Sequence, residues 1–72
     1  MPTMPDDEIV SRLRNRWVHG RKAQGSDRWW LFDLRRDEFV VGHPVRREFV
    51  IRFLATRDPE VRRALAAIHE QQ

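Results

Sequence analysis

The chain has 72 residues, a formal net charge of +3 and no cysteine. A chain of this length forms at most one domain and has no room for a large pocket, so a small-molecule substrate is not expected. The lack of cysteine excludes disulfides and thiolate metal sites and favours a reducing compartment. Because no stretch approaches the ~20 apolar residues of a membrane-spanning helix, we expect a cytoplasmic protein with no membrane partner.

Residues 1–5 contain two prolines and predict a short flexible lead before a single domain over 6–72. Asp6 or Asp7 is suited to cap the start of a helix. The apolar residues that follow repeat at helical spacing, and they are Ile9, Val10, Leu13 and Trp17. We therefore predict an amphipathic helix that ends near Gly20.

The spacing of the apolar residues changes to two after a polar loop over 20–27. This period is typical of a strand, in which successive side chains point to opposite faces. One face is predicted to hold Trp30, Phe32 and Leu34, and the other Trp29 and Leu31. A four-residue loop over 35–38 then leads into a second strand, in which Phe39 lies opposite Leu34 on the first face.

Residues 48–56 allow two interpretations. As a strand, the segment has one continuous apolar face, formed by Phe49, Ile51, Phe53 and Ala55. On a helical wheel, by contrast, its apolar residues scatter all round, so we predict a third strand. The alternative is a helix over 45–56 that begins at Pro44, a residue type favoured in the first turn of helices.

The last segment predicts a second helix, which Thr56 or Asp58 is suited to cap and in which Pro59 favours the first turn. Its apolar stripe consists of Val61, Ala64, Leu65 and Ile68. The expected fold class is α+β, in the order helix-strand-strand-strand-helix, with both helices on one face of a three-stranded antiparallel sheet. A helix over 45–56 would change the order to α-β-β-α-α.

The predicted core has residues of the sheet that face the helices, and residues of the two helices. Those of the sheet are Trp30, Phe32, Leu34, Phe39, Val41, Phe49, Ile51 and Phe53, and those of the helices are Ile9, Leu13, Trp17, Leu65 and Ile68. The opposite face of the sheet is also apolar. Exposed apolar patches that contain Trp and Arg are typical of interfaces. We therefore expect a docking face for a protein partner or a second copy of the chain, formed by Trp29, Leu31, Val40, Val50, Arg52 and Leu54. The alternatives are a segment of the chain that covers this face, or a register that differs by one residue.

Most of the 14 basic residues are arginines. Guanidinium groups bind phosphate bidentately, and basic side chains near aromatic rings are typical of nucleic-acid-binding grooves. The alternative function is a nucleic-acid-binding module, whose candidate contacts are Arg12, Arg14, Arg16, Arg21, Lys22, Arg28, Arg46 and Arg47. The opposing interpretation is a solvated helix surface, because Glu8 with Arg12 and Asp58 with Arg62 are spaced as i, i+4 ion pairs.

No pattern in the sequence predicts catalysis. His19, His43 and His69 lack the spacing of metal ligands, and the three glycines do not form a phosphate-binding loop. Asp33 and Glu38 flank the predicted hairpin, where we expect open solvent and not the cleft that a catalytic acid and base pair needs. We predict a small regulatory binding protein of the inhibitor or adaptor type that is not an enzyme and uses no metal or cofactor.

Overall fold

A computed structural model describes residues 4–70 of the chain, and side chains as far as residue 67. The elements in chain order are α1 (Asp6–Arg14), β1 (Val18–Lys22), β2 (Trp29–Asp33), β3 (Glu38–Phe39), α2 (Arg47–Ala55) and α3 (Pro59–Glu70). The strands form one antiparallel sheet in the order β1-β2-β3. The predicted α+β class and three-stranded antiparallel sheet are confirmed, although two elements differ from those predicted. Residues 1–3 of the predicted lead and residues 71–72 lie outside the described part of the chain.

The first difference is that the N-terminal helix is shorter than predicted and a strand follows it. α1 ends at Arg14, and the N–H of Trp17 donates to the Arg14 carbonyl in the turn that follows. Trp17 has a φ of 62°, a left-handed conformation in which the chain leaves the helical path. Trp17 is 53% exposed, so the prediction that it belongs to the core is wrong.

Gly20 was predicted to end a helix because glycine is common at that position. It lies instead in the middle of β1. A Cβ atom at this position would lie 2.3 Å from Cδ1 of Leu13, and the Leu13 side chain is fully buried. The missing side chain therefore allows α1 to pack directly against β1.

The second difference is that residues 47–55 form a helix, α2. The third strand predicted here is wrong, and the helical alternative is confirmed. α2 packs against α3 on one side and contacts α1 on another. A helix with neighbours on two sides carries apolar residues around much of its circumference, which explains the scattered pattern. Val50 and Leu54, one turn apart, are its fully buried residues.

The hairpin between β2 and β3 has a four-residue loop, as predicted, but a different register. Phe32, and not Leu34, pairs with Phe39, so the loop comprises residues 34–37. The Asp33 carboxylate accepts hydrogen bonds from two backbone N–H groups of this loop, at 2.9 and 3.1 Å. This local turn begins the loop one residue earlier than the apolar alternation predicts.

The core lies on one side of the sheet, and all three helices contribute to it. Its buried residues are Ile9, Leu13, Val18, Trp29, Leu31, Val45, Val50, Leu54 and Val61. Because Trp29 and Leu31 are the β2 residues in this set, the inner face of β2 is the one predicted to be outside. Both faces of β2 are apolar, so the period of two alone does not show which face is buried.

Several residues predicted to be in the core lie at its margin or outside it. Trp30 and Phe32 are half-buried on the outer face. Leu34, Phe39 and Phe49 are exposed, whereas Val41, Ile51 and Phe53 pack against the core from its edge. In the stripe predicted for α3, Val61 is buried, Leu65 is half-buried and Ala64 is exposed. The side chain of Ile68 lies outside the described residues.

An ion-pair network joins α1 to α3. Nη1 of Arg12 lies 2.8 Å from Oδ2 of Asp58, and its Nη2 lies 3.1 Å from Oε2 of Glu60. Asp58 also caps α3, as predicted, because its Oδ1 accepts the Glu60 N–H at 3.0 Å. The expected pair of Arg12 with Glu8 is present at 3.8 Å. The expected pair of Asp58 with Arg62 is not, since Asp58 binds Arg12 instead and Nε of Arg62 donates to the Ala55 carbonyl.

We expect the substitution Trp29→Ala to lower the free energy of unfolding by about 3–5 kcal/mol, because it opens a cavity in the core. A domain of this size has a total stability of roughly 4–11 kcal/mol. The matched change Trp30→Ala removes a half-buried ring and should cost less than about 2 kcal/mol. Urea denaturation followed by circular dichroism measures both values. Equal losses in the two variants would contradict the assignment of the two faces.

The stability should also depend on the ionisation of Asp58. Burial acts to raise the pKa of its carboxyl, but hydrogen bonds from Arg12 and from the backbone N–H groups of Glu60 and Val61 outweigh burial and lower the pKa below its usual value. A carboxyl with a lowered pKa in the folded state stabilises the fold above its unfolded pKa, and the contribution is lost as the pH falls through the folded pKa.

We therefore expect Asp58→Asn to cost about 1–2 kcal/mol of unfolding free energy at neutral pH, since it keeps the capping oxygen but removes the charge opposite Arg12. The difference from the wild-type protein should shrink below about pH 4. Chemical denaturation at several pH values tests this, because the comparison cancels the contribution of Asp6, whose pKa is lowered by Lys22 and Arg47. A difference that does not change with pH would show that the Asp58 charge is not responsible.

Candidate functional site

The outer face of the sheet carries three aromatic rings, one of which contacts the other two. Residues directly opposite in neighbouring strands lie on the same face. The register therefore places His19, Phe32 and Phe39 in one row and Arg21 and Trp30 in the next. The ring centroid of Phe39 lies 5.1 Å from those of both Trp30 and Phe32, and its contact with Phe32 is edge to face. We call these five residues the outer aromatic face.

The outer aromatic face lies opposite the core. As far as residue 67, every buried apolar side chain of the helices belongs to the cluster on the inner side of the sheet, whereas Phe39 is 50% exposed. Two further large apolar side chains adjoin this face where β1 and β2 continue into turns. They are Trp17 and Leu34, 53% and 47% exposed, whose backbones are joined by a hydrogen bond from Leu34 N–H to the Trp17 carbonyl. The guanidinium carbon of Arg35 lies 5.0 Å from the centroid of the Trp17 ring.

The residues predicted for the docking face do not form a surface. Trp29, Leu31, Val50 and Leu54 are buried in the core. Val40 is half-buried and packs against the core, and only Arg52 is exposed. The physical reason is that the helices lie on the Trp29 side of the sheet. α1 packs against β1, and Val50 and Leu54 of α2 belong to the same core cluster as Trp29 and Leu31.

The three aromatic residues of the outer aromatic face were predicted to lie in the core, so the sequence analysis missed this candidate site. The signal for them is present, because the period of two in β2 separates Trp30 and Phe32 from Trp29 and Leu31. The period of two does not show which of the two faces of β2 the helices cover.

Four of the residues predicted to bind nucleic acid meet at one cleft, although they lie in two distant parts of the sequence. Lys22, Arg28, Arg46 and Arg47 line a cavity of about 490 Å³ between the end of the β1–β2 hairpin and the start of α2. An adjoining cavity of about 300 Å³ shares Arg28 and Arg46 and extends to Arg52. We call the two cavities together the basic groove.

The other four predicted contacts do not lie at this groove. Arg12 is engaged by Asp58, Glu60 and Glu8. Arg21 belongs to the outer aromatic face, as its register position opposite Trp30 shows. Arg14 and Arg16 are exposed at the end of α1 and in the turn after it. The structure therefore divides the predicted set of basic residues among four places.

The described residues hold no group of three or more His, Cys, Asp or Glu side chains placed to bind a metal ion. Asp33 and Glu38 do lie opposite each other, as β2–β3 partners. The Asp33 carboxylate is occupied by the N–H groups of the hairpin loop. The side chain of His69 lies outside the described residues.

Within residues 4–70, no helix combines the length and the apolar character that crossing a membrane requires. Comparisons with models of known protein families, with curated proteins and with solved structures find no match to this chain.

Proposed function

We propose that the protein is a small non-enzymatic binding protein that docks on a protein partner through the outer aromatic face. The observation that carries this proposal is the cluster of Trp30, Phe32 and Phe39 on a sheet face that lies opposite the core. Large exposed apolar patches are unfavourable in water and commonly mark interaction surfaces. Aromatic residues and arginine are also the residue types enriched in the centres of interfaces.

The rings of this face are held in place before a partner arrives. Each is attached to a paired strand, and Phe39 contacts both of its aromatic neighbours at a centroid distance of 5.1 Å. Rings already restrained in this way lose little conformational freedom on binding, so that more of the contact energy appears as affinity. This supports Trp30 and Phe39 as the anchors of the interface.

The charges around the rings favour a partner of different sequence over a second copy of this chain. The charged residue on the outer aromatic face is Arg21, and Arg35 lies over the neighbouring Trp17. In a twofold symmetric dimer the same patch meets itself, which would bring like charges together. A partner surface with an apolar groove and an acidic rim complements this face better.

An inhibitor or adaptor role is part of this proposal, because a small domain with an exposed aromatic face can act by occupying a surface of another protein. A cytoplasmic location also belongs to the proposal and is favoured by the absence of cysteine.

The test is affinity capture from nuclease-treated lysate of the source cells with three forms of the protein: wild type, Phe39→Ala and Phe49→Ala. Phe49 is the matched control, since it is an exposed phenylalanine of α2 away from the outer aromatic face. We expect a discrete protein to bind the wild type and the control and to be lost with Phe39→Ala. In a titration with that protein, loss of a central anchor should weaken binding by about 2 kcal/mol, or roughly thirtyfold.

Capture of the same proteins in the same amounts by all three forms would contradict the proposal. Sedimentation equilibrium of the purified protein tests whether the partner is a second copy of the chain. A wild-type dimer that becomes a monomer in Phe39→Ala would identify a second copy as the partner. Circular dichroism of each variant confirms that the substitutions leave the fold intact.

A further inference from the structure

The basic groove is distinct from the outer aromatic face and is lined mainly by positive charge. Its basic residues are Lys22, Arg28, Arg46, Arg47 and Arg52, against the two carboxylates of Asp27 and Glu48. Asp6 partly neutralises the groove from α1, because it binds both Lys22, at 2.9 Å, and Arg47. Among the described residues, no ion pair is formed by Arg28, Arg46 or Arg52, so positive charge remains uncompensated at the groove.

The backbone pairing places two of these arginines next to each other. Trp29 and Val45 form an antiparallel bridge, with N–O distances of 2.7 and 2.8 Å in the two directions. In an antiparallel pair, the residue before one partner lies across from the residue after the other, so Arg28 and Arg46 occupy opposed positions. Like charges in such positions repel each other. An anion bound between them would relieve this repulsion.

The groove also lies at the N-terminal end of α2 and against the buried Trp29. Arg46 is the N-cap of α2, in an extended conformation and without a side-chain capping hydrogen bond, so the positive end of the helix dipole lies at the groove. Trp29, which is 1% exposed, contributes to the groove wall. Its Nε1 has no hydrogen-bond partner among the described residues, although buried indole N–H groups usually have one.

An exposed aromatic ring lies in the same groove. Phe49, which is 42% exposed, lines the second cavity together with Arg28, Arg46 and Arg52. An unpaired base can stack on such a ring while guanidinium groups bind the phosphates on either side of it. A base within a duplex is already stacked between its neighbours and cannot do so.

We propose that the basic groove binds single-stranded nucleic acid, with Arg28 and Arg46 on backbone phosphates and Phe49 stacked on a base. The groove extends over two adjoining cavities of about 490 and 300 Å³, which suits a chain of nucleotides better than one small anion. Lys22 and Arg47 have a secondary role, because Asp6 already holds both of them.

The test is fluorescence anisotropy of a short labelled single-stranded oligonucleotide of mixed sequence, titrated with purified full-length protein and its variants. Arg46→Glu should weaken binding at least about tenfold, and Phe49→Ala by about tenfold through lost stacking. The matched control is Arg63→Glu, which changes the net charge equally at an exposed position of α3 that lines neither cavity. We expect the control to weaken binding by less than about threefold, because a distant surface charge is screened by salt.

The affinity should also fall with salt, with a log–log slope of about −0.7 for each phosphate neutralised. Equal weakening by Arg46→Glu and Arg63→Glu would overturn the proposal, because it would show a general attraction of charge. Equal affinity for a duplex of the same sequence, or for polyglutamate, would overturn it too, since neither offers an unpaired base to Phe49. Loss of binding in Trp30→Ala with retention in Arg46→Glu would move the contact to the outer aromatic face.

Each variant is checked by circular dichroism and thermal unfolding before the titration. Arg46 and Arg63 are both exposed, and the Arg46 side chain makes no capping hydrogen bond, so both charge reversals should leave the fold intact. Arg28→Glu is the second variant at the groove and should reproduce the loss seen with Arg46→Glu. Normal binding by both variants would overturn the proposal.

Discussion

The fold depends on the burial of Trp29 at the centre of the structure. Its side chain is 1% exposed, and its backbone pairs with Lys22 of β1 on one side and with Val45 on the other. The pair with Val45 fixes the position at which α2 begins two residues later. A large indole ring buries more apolar surface than any other side chain of a small core, and here it also determines where the neighbouring chain segments lie.

Both candidate surfaces follow from the position of Trp29. Because Trp29 and Leu31 point to the helices, Trp30 and Phe32 must point away from them, and the outer aromatic face results. The bridge to Val45 brings Arg28 and Arg46 into opposed positions, and the basic groove results. A protein with so little core therefore has two chemically different surfaces, one aromatic and one basic, set by a single buried residue.

Part of this structure was open to prediction from local patterns. The helical spacing of Ile9 and Leu13, the cap at Asp58 and the period of two in β2 all correspond to elements that are present. The α+β class follows from them. Local patterns failed for Val18–Lys22, where a glycine and basic residues suggested a helix end and a loop. They failed there because Gly20 is required by contact with Leu13, which belongs to a different element.

The sequence by itself determined which segments are periodic, which residue types are available for binding and that cysteine chemistry is excluded, since these depend on neighbouring residues and composition alone. Only the tertiary structure decided which side of β2 is buried, because both sides are apolar and the helices pack on just one of them. The tertiary structure also decided that residues 47–55 are helical, because their scattered apolar side chains can be buried only with α1 and α3 packed against α2. Burial depends on what packs against a segment, and that information lies in distant parts of the chain.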